Sequence, residues 1–158
     1  MDVGMTTGFI LLAEDDDDHT LLINDAFEEA GSEKRLERVR DGEELMDFLL
    51  HRGSYQDAKE FSPPDLILLD LNLPKKDGRK VLKEIKSDPN LSHIPVIVLT
   101  CSNNEEDVIE TYALGGNSFI RKPVRFDQFV DVFKTLKKYW YEVVELPKHF
   151  RFPTKSIH

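Results

Sequence analysis

A single cysteine, Cys101, leaves an intramolecular disulfide without a partner, and none of the five histidines (His19, His51, His93, His149, His158) stands at metal-ligand spacing. No zinc site is expected; Cys101 reads as a small packing residue and the histidines as surface positions. The amino terminus has neither a basic leader nor a long apolar stretch, so secretion and membrane spanning are unsupported and the cytoplasm is the default compartment. Positive charge is also short. Lys and Arg number 21 against 30 Asp and Glu, for a net charge of -9, which argues against nucleic acid as a direct ligand. There is no internal repeat, and no low-complexity segment apart from the four consecutive aspartates Asp15 to Asp18.

What is present is an alternation of short apolar runs with segments of helical period, the pattern of a parallel sheet covered by helices on both faces. Phe9 to Ala13, Asp65 to Leu69, Val96 to Leu99 and Phe119 to Arg121 read as strands, with a weaker edge strand at Leu36 to Val39. Between them fall a first helix from the acidic loop to the Ala30-Gly31 stop, a second from Asp41 to Leu50, and a third carrying Val81, Leu82 and Ile85 and closed by Pro89. A fourth is capped by Asn103 or Asn104 and stopped by Gly115-Gly116. The polar stretch from His51 to Pro64 reads as a surface loop. The last helix begins near Arg125 and holds its apolar period through Val144 for about five turns, more than a five-stranded sheet needs for cover.

The fold class is therefore α/β, a doubly wound five-stranded parallel sheet. In such sheets chemistry gathers at the carboxyl ends of the strands, and these ends are equipped: Glu14-Asp15, Asp70, Thr100 and Lys122 each follow or close an apolar run. Carboxylates roughly 5 Å apart repel by about 3 kcal/mol per pair at an effective dielectric near 20, so three of them either raise a pKa or recruit a cation. A hard divalent ion such as Mg2+, held by one or two carboxylates with waters and a phosphate, is the natural solution. Phosphoryl transfer is the chemistry this favours, with Asp70 as nucleophile, Glu14 and Asp15 as ligands, and Thr100 and Lys122 sharing phosphoryl charge. A cis bond before Pro123 would aim the Lys122 ammonium inward. Of the other aspartates, one of Asp16, Asp17 and Asp18 is the helix N-cap and the rest favour the helix dipole.

The set Glu14-Asp15, Asp70, Thr100 and Lys122-Pro123, with the loop Asp70-Leu71-Asn72-Leu73-Pro74 and Asp77-Gly78, resembles the receiver domain of two-component response regulators, of the CheY type. More narrowly, the stretches from Asp70 to Gly78, from Lys122 to Phe129 and from Tyr139 to Pro147 are similar to single-domain regulators that partner phytochrome histidine kinases. The resemblance implies a flavodoxin-like strand order 2-1-3-4-5. It implies that Asp70 accepts phosphate from a phosphohistidine of a sensor histidine kinase, and that Asp15, Asp70 and the Asn72 backbone carbonyl bind Mg2+, with Glu14 reaching the ion through water. It also implies phosphoryl contacts from Thr100 and Lys122 and a switch pairing Thr100 with Phe119. Phe119 keeps the ring but lacks the hydroxyl found in some members, so a burial switch is possible and a tyrosine hydrogen bond is not. The chain would be a phosphoacceptor, with self-catalysed phosphotransfer and dephosphorylation, rather than an enzyme acting on a foreign substrate.

Residues 8–146 are expected to form the receiver with its extended last helix, and 147–158 a tail too short for an output domain, so that output comes through protein contacts. Phe133 and Leu136 are simplest as core, but Trp140, Tyr141, Val143 and Val144 lie beyond the expected sheet edge. Such a patch suggests a homodimer through the last helix with the adjacent strand and helix, with Phe133, Trp140, Tyr141 and Val144 at the interface. Three other readings remain. A magnesium phosphatase with an aspartyl nucleophile would want a second acid where Asn72 stands. A flavin carrier would want phosphate-binding donors where the acidic loop stands. The third is a receiver that binds partners without being phosphorylated.

Overall fold

The computed structural model describes residues 8–57 and 62–147. Five parallel strands, β1 (Phe9–Ala13), β2 (Arg35–Val39), β3 (Leu66–Leu69), β4 (Val96–Thr100) and β5 (Ser118–Arg121), form one sheet in the order β2-β1-β3-β4-β5. The three inner strands are buried along their whole length, which is why their sequences are continuous apolar runs rather than alternating ones. Edge strand β2 carries Arg35, Glu37 and Arg38 instead.

Alternate strand residues feed two cores. On one face Leu11, Val39, Ile67 and Leu69 pack against α2 (Gly42–Leu50) and α3 (Gly78–Ser87), with Leu114 from the end of α4 (Glu105–Ala113). On the other, Ile10, Leu12, Leu68 and Leu99 pack against α1 (Asp17–Glu29) and α5 (Phe126–Lys138). Each fully buried Leu or Ile contributes roughly 1.5 to 3 kcal/mol relative to exposure. Helix starts follow sequence: Asp16, Asp41, Asp77 and Asn104 each accept a backbone N–H of the first turn. Asp17 and Asp18 fill the first turn of α1, where the helix dipole favours negative charge. Stops follow as well. Gly31 and Gly115 take positive φ after α1 and α4, and Asp88, forced extended by Pro89, ends α3.

The long last helix is real but changes pitch. After Lys138 it continues as a π-helical turn, Tyr139–Val143, closed by Val144 N–H on the Tyr139 carbonyl. The wider turn folds Trp140 and Tyr141 back onto the α1/α5 core, and the Tyr141 hydroxyl donates to Asp65 Oδ2 at 2.9 Å at the amino end of β3. Lys34 Nζ lies 4.9 Å from the Tyr141 ring centroid. Phe133 is fully buried between Phe27 and Phe129, so it belongs to this chain's own core and is unavailable to a partner, contrary to expectation. Trp140, Tyr141 and Val144 are half-buried, and the exposed apolar side chains of this segment are Tyr139 and Val143. The polar stretch after α2 includes a short 3-10 turn, Gly53–Tyr55; its residues 58–61, like the tail 148–158, lie outside the described residues.

Candidate functional site

Four strand ends deliver the site. Glu14, Asp70 and Lys122 are the first residues beyond β1, β3 and β5, and Thr100 is the last of β4. Their backbones prolong the sheet: Glu14 N–H bonds Val39 O at 3.1 Å, Asp70 N–H bonds Ala13 O at 3.1 Å, and Lys122 N–H bonds Thr100 O at 2.8 Å. Each side chain thus leaves a rigid ladder. The start of helix α3 is held just as closely, because Gly78 packs directly on the backbone of Asp70 and Leu71, where any Cβ would collide.

Asp70 is buried and fully hydrogen-bonded. Its Oδ1 accepts from the Asn72 N–H at 2.9 Å and the Thr100 hydroxyl at 3.0 Å, and its Oδ2 accepts from Lys122 Nζ at 2.9 Å. Burial alone would raise its pKa, but the Asn72 N–H, the Lys122 ammonium and the Thr100 hydroxyl outweigh it and hold the carboxyl below the ordinary aspartate range. Glu14, 1% exposed, goes the other way. Burial pushes its pKa up, with the Asp70 charge adding to the rise, despite a 2.6 Å bond from Lys122 Nζ to Oε1. For Lys122 burial lowers the pKa, and the two carboxylates more than restore it, so that it ends raised.

Thr100, fully buried, and Asp70 are brought together as expected. Phe119 is half-buried on edge strand β5, opposite Val98 and with the Arg121 guanidinium 5.8 Å from its ring centroid. Glu14 and Asp70 do converge, but on the Lys122 ammonium, while Asp15 is exposed at the mouth. Among the described residues no three His, Cys, Asp or Glu side chains are placed to hold a metal ion, so the expected convergence of all three acids on one ion is not how these side chains stand. The reason is electrostatic: a buried carboxylate turns to the nearest cation, which here is the lysine. The donor chemistry still fits a hard divalent ion. Two carboxylates against one ammonium leave a negative charge, exposed Asp15 adds another, and magnesium needs only one or two carboxylates beside waters and a carbonyl.

The cis bond before Pro123 is a correction. No peptide bond among the described residues is cis. None is needed, because the Lys122 N–H is pinned to Thr100 and its side chain is drawn inward by two acids; the bond keeps the trans form that X-Pro bonds favour by about 0.5 to 1 kcal/mol. Cys101, next to Thr100, is exposed rather than a packing residue, since it lies beyond the strand's end.

Two features escaped the sequence. His19 stands with Nδ1 2.9 Å from Lys122 Nζ; its place on the first turn after the β1 loop was the available signal. Arg79 binds Asp107 Oδ1 through Nη2 and Nε at 2.7 and 3.2 Å, and Asp107 Oδ2 accepts the Ser102 hydroxyl, tying α3 to the β4–α4 loop.

Comparison with known proteins agrees with this arrangement. The family model for the response regulator receiver domain matches residues 10–134. The response regulator Rcp1 of Synechocystis sp. is 42% identical over 138 residues, 87% of this chain and 92% of that protein. The crystal structure of the phosphorylated cyanobacterial phytochrome response regulator RcpA is 44% identical with a TM-score of 0.81, covering 90% of this chain and 99% of that one. The Mn2+-bound form of Rcp1 superposes with a TM-score of 0.80 at 41% identity, over 89% of this chain and 99% of that one.

Proposed function

Because the chain belongs to the response regulator receiver family, and within it is related to the phytochrome response regulators, we propose that Asp70 is its phosphoacceptor in a two-component phosphorelay fed by a sensor histidine kinase of the phytochrome class. The observation that carries this is the Asp70 carboxylate itself, ionised by its surroundings and ringed by a hydroxyl and an ammonium suited to a phosphoryl group. Oδ1 already accepts two hydrogen bonds, whereas Oδ2 has only the one from Lys122 Nζ. Oδ2 is therefore the freer oxygen to form the bond to phosphorus as the bond from phosphorus to the donor's imidazole nitrogen breaks. The Lys122 ammonium and Thr100 hydroxyl then turn to the phosphoryl oxygens, sharing charge that would otherwise stay on a buried group.

Receiver domains bind a divalent metal, and for this chain we assign it as Mg2+, held by Asp15, Asp70 and the Asn72 backbone carbonyl, with Glu14 through water. Bound there, the ion supplies neutralisation of phosphoryl charge. Release of Thr100 from Asp70 to the phosphoryl group would alter its contacts toward β5, and Phe119 on that strand is the side chain we assign to the switch. The protein is a signalling protein, and its self-catalysed phosphorylation and dephosphorylation belong to this reading. Among the described residues no helix is long and apolar enough to cross a membrane; we place the protein's work in the cytoplasm.

We also propose a homodimer through α5, β5 and α4. What supports it is the open groove of about 290 Å³ between β5 and α5, lined by Ile120, Val132 and Leu136, together with the exposed Tyr139 and Val143 on the turn that follows α5. Light scattering that returns a monomer at micromolar concentration, with and without phosphorylation, removes the dimer.

The phosphoacceptor is tested by intact mass after incubation with acetyl phosphate and Mg2+. An adduct of about 80 Da in the parent and none in Asp70→Asn is the expected result. Turnover of a generic phosphate ester without a lasting adduct would point instead to an aspartyl phosphatase.

A further inference from the structure

The Lys122 ammonium has three N–H donors, and all three are engaged: Glu14 Oε1 at 2.6 Å, Asp70 Oδ2 at 2.9 Å and His19 Nδ1 at 2.9 Å. Two acceptors are buried carboxylates. The third is a ring nitrogen on a side chain 41% exposed. An ammonium can only donate, so the contact makes Nδ1 the acceptor and leaves the ring proton on Nε2. The ring's attachment is fixed as well, because the His19 N–H is capped by Asp16 Oδ1 at 3.0 Å and the Thr20 hydroxyl donates to Asp16 O at 2.8 Å.

Resting on the phosphoacceptor reading, we propose that His19 is a positioning residue: its Nδ1 occupies, on Lys122, the place that an oxygen of the incoming phosphoryl group takes. Hydrogen bonds to charged acceptors are about twice as strong as those to neutral ones. When an anionic oxygen of the donor arrives, the bond to the imidazole is the one exchanged first; the Asp70 bond lasts until Oδ2 bonds phosphorus, and the Glu14 bond keeps the ammonium aimed throughout. Glu14 and Asp70 are the inner acceptors, and His19 is the outermost of the three, so the exchange happens on the solvent side. Before the exchange His19 keeps the third donor directed and away from water. It also competes with the phosphodonor, and this competition gives the proposal its test.

Rates of phosphorylation at varied acetyl phosphate, with Mg2+ fixed, are measured for the parent, His19→Ala and His19→Asn. Without the competitor, His19→Ala reaches half-saturation at a concentration lower by about fivefold, the factor one net hydrogen bond to a neutral acceptor represents, and a larger factor than any change in maximal rate. His19→Asn, which returns an oxygen acceptor near the position of Nδ1, restores the parent value. An unchanged or higher half-saturation in His19→Ala overturns the proposal, as does His19→Asn behaving like His19→Ala. Nitrogen NMR of the His19 ring supplies a reading without turnover: addition of beryllium fluoride with Mg2+ shifts the Nδ1 resonance as its donor leaves, and an unmoved resonance overturns the proposal. A parent that never forms the adduct sinks the phosphoacceptor reading together with this one, whereas an intact adduct with indifferent His19 variants sinks this one alone.

Discussion

A Cβ added to Gly78 would stand 2.6 Å from the Asp70 carbonyl oxygen, so the first residue of α3 is pressed against the backbone that carries the buried Asp70 carboxylate. Gly78→Ala must push one away from the other. Overpacking of this kind costs about 1 to 3 kcal/mol. The variant is expected to unfold at lower urea, followed by Trp140 fluorescence, and to take phosphate from acetyl phosphate more slowly. An unshifted midpoint contradicts the close approach.

Lys122→Met leaves Glu14 and Asp70 buried without their cation, and both carboxyls are then pushed up by burial and mutual repulsion. Removal of one partner from such a cluster costs about 3 kcal/mol at pH 7. In the parent, the raised Lys122 pKa makes its contribution complete below 10.5 and lost as pH climbs through the higher native value. The lowered Asp70 pKa contributes above 3.8 and is lost as pH falls through the native value. The variant should lack the alkaline loss and regain stability as pH drops from about 7 to about 5, where its acids take up protons. Urea midpoints across pH test this, and a gap to the parent that stays constant between those two pH values counts against it.

Asp107 is held below the ordinary aspartate range by the Ser102 hydroxyl and by Arg79. Its link between α3 and the loop after β4 should weaken in Asp107→Asn by about 1 kcal/mol, once solvent screening of a part-exposed pair is allowed for. Because the native pKa is lowered, this difference is present above 3.8 and fades as pH falls through the native value. Denaturation of parent and variant on either side of that range would reveal the fading, or its absence.

Tyr141→Phe removes the hydroxyl that bonds Asp65, at a cost of about 1 kcal/mol in urea unfolding. Burial and the neighbouring Asp65 charge hold the Tyr141 phenol well above the ordinary tyrosine range. The phenolate absorbance of parent and variant should therefore superimpose between about pH 9 and 11, where free tyrosines ionise. A missing step in the variant would show that the π-helical turn leaves Tyr141 open to water.

The strands were legible because Phe9 to Ala13, Leu66 to Leu69 and Val96 to Leu99 are buried on both faces and so carry no polar interruption. Helix starts were legible because Asp16, Asp41 and Asn104 mark them locally. The meeting of Asp70, Thr100 and Lys122 followed from strand ends. What was hidden depends on side chains far apart in sequence: Glu14 meets Lys122 across 108 positions and His19 meets it across 103. Neither the lysine's choice of Glu14 nor the histidine's part in it leaves a local mark. The π-helical turn had none either, since one extra residue per turn does not disturb the apolar period enough to be seen. Phe133, offered to a partner by the sequence pattern, is core, and the turn leaves Tyr141 half-buried against the α1/α5 core.

The distance along the chain between Asp70 and Lys122, 52 positions, has a biosynthetic corollary. A polypeptide emerging from the ribosome gains the Asp70 carboxylate early and its counter-cation only when the fifth strand has been made and docked. Until then the two interior acids lack the Lys122 ammonium that they share. The assembled Asp70–Lys122 pair thus reports that the fifth strand has joined the sheet.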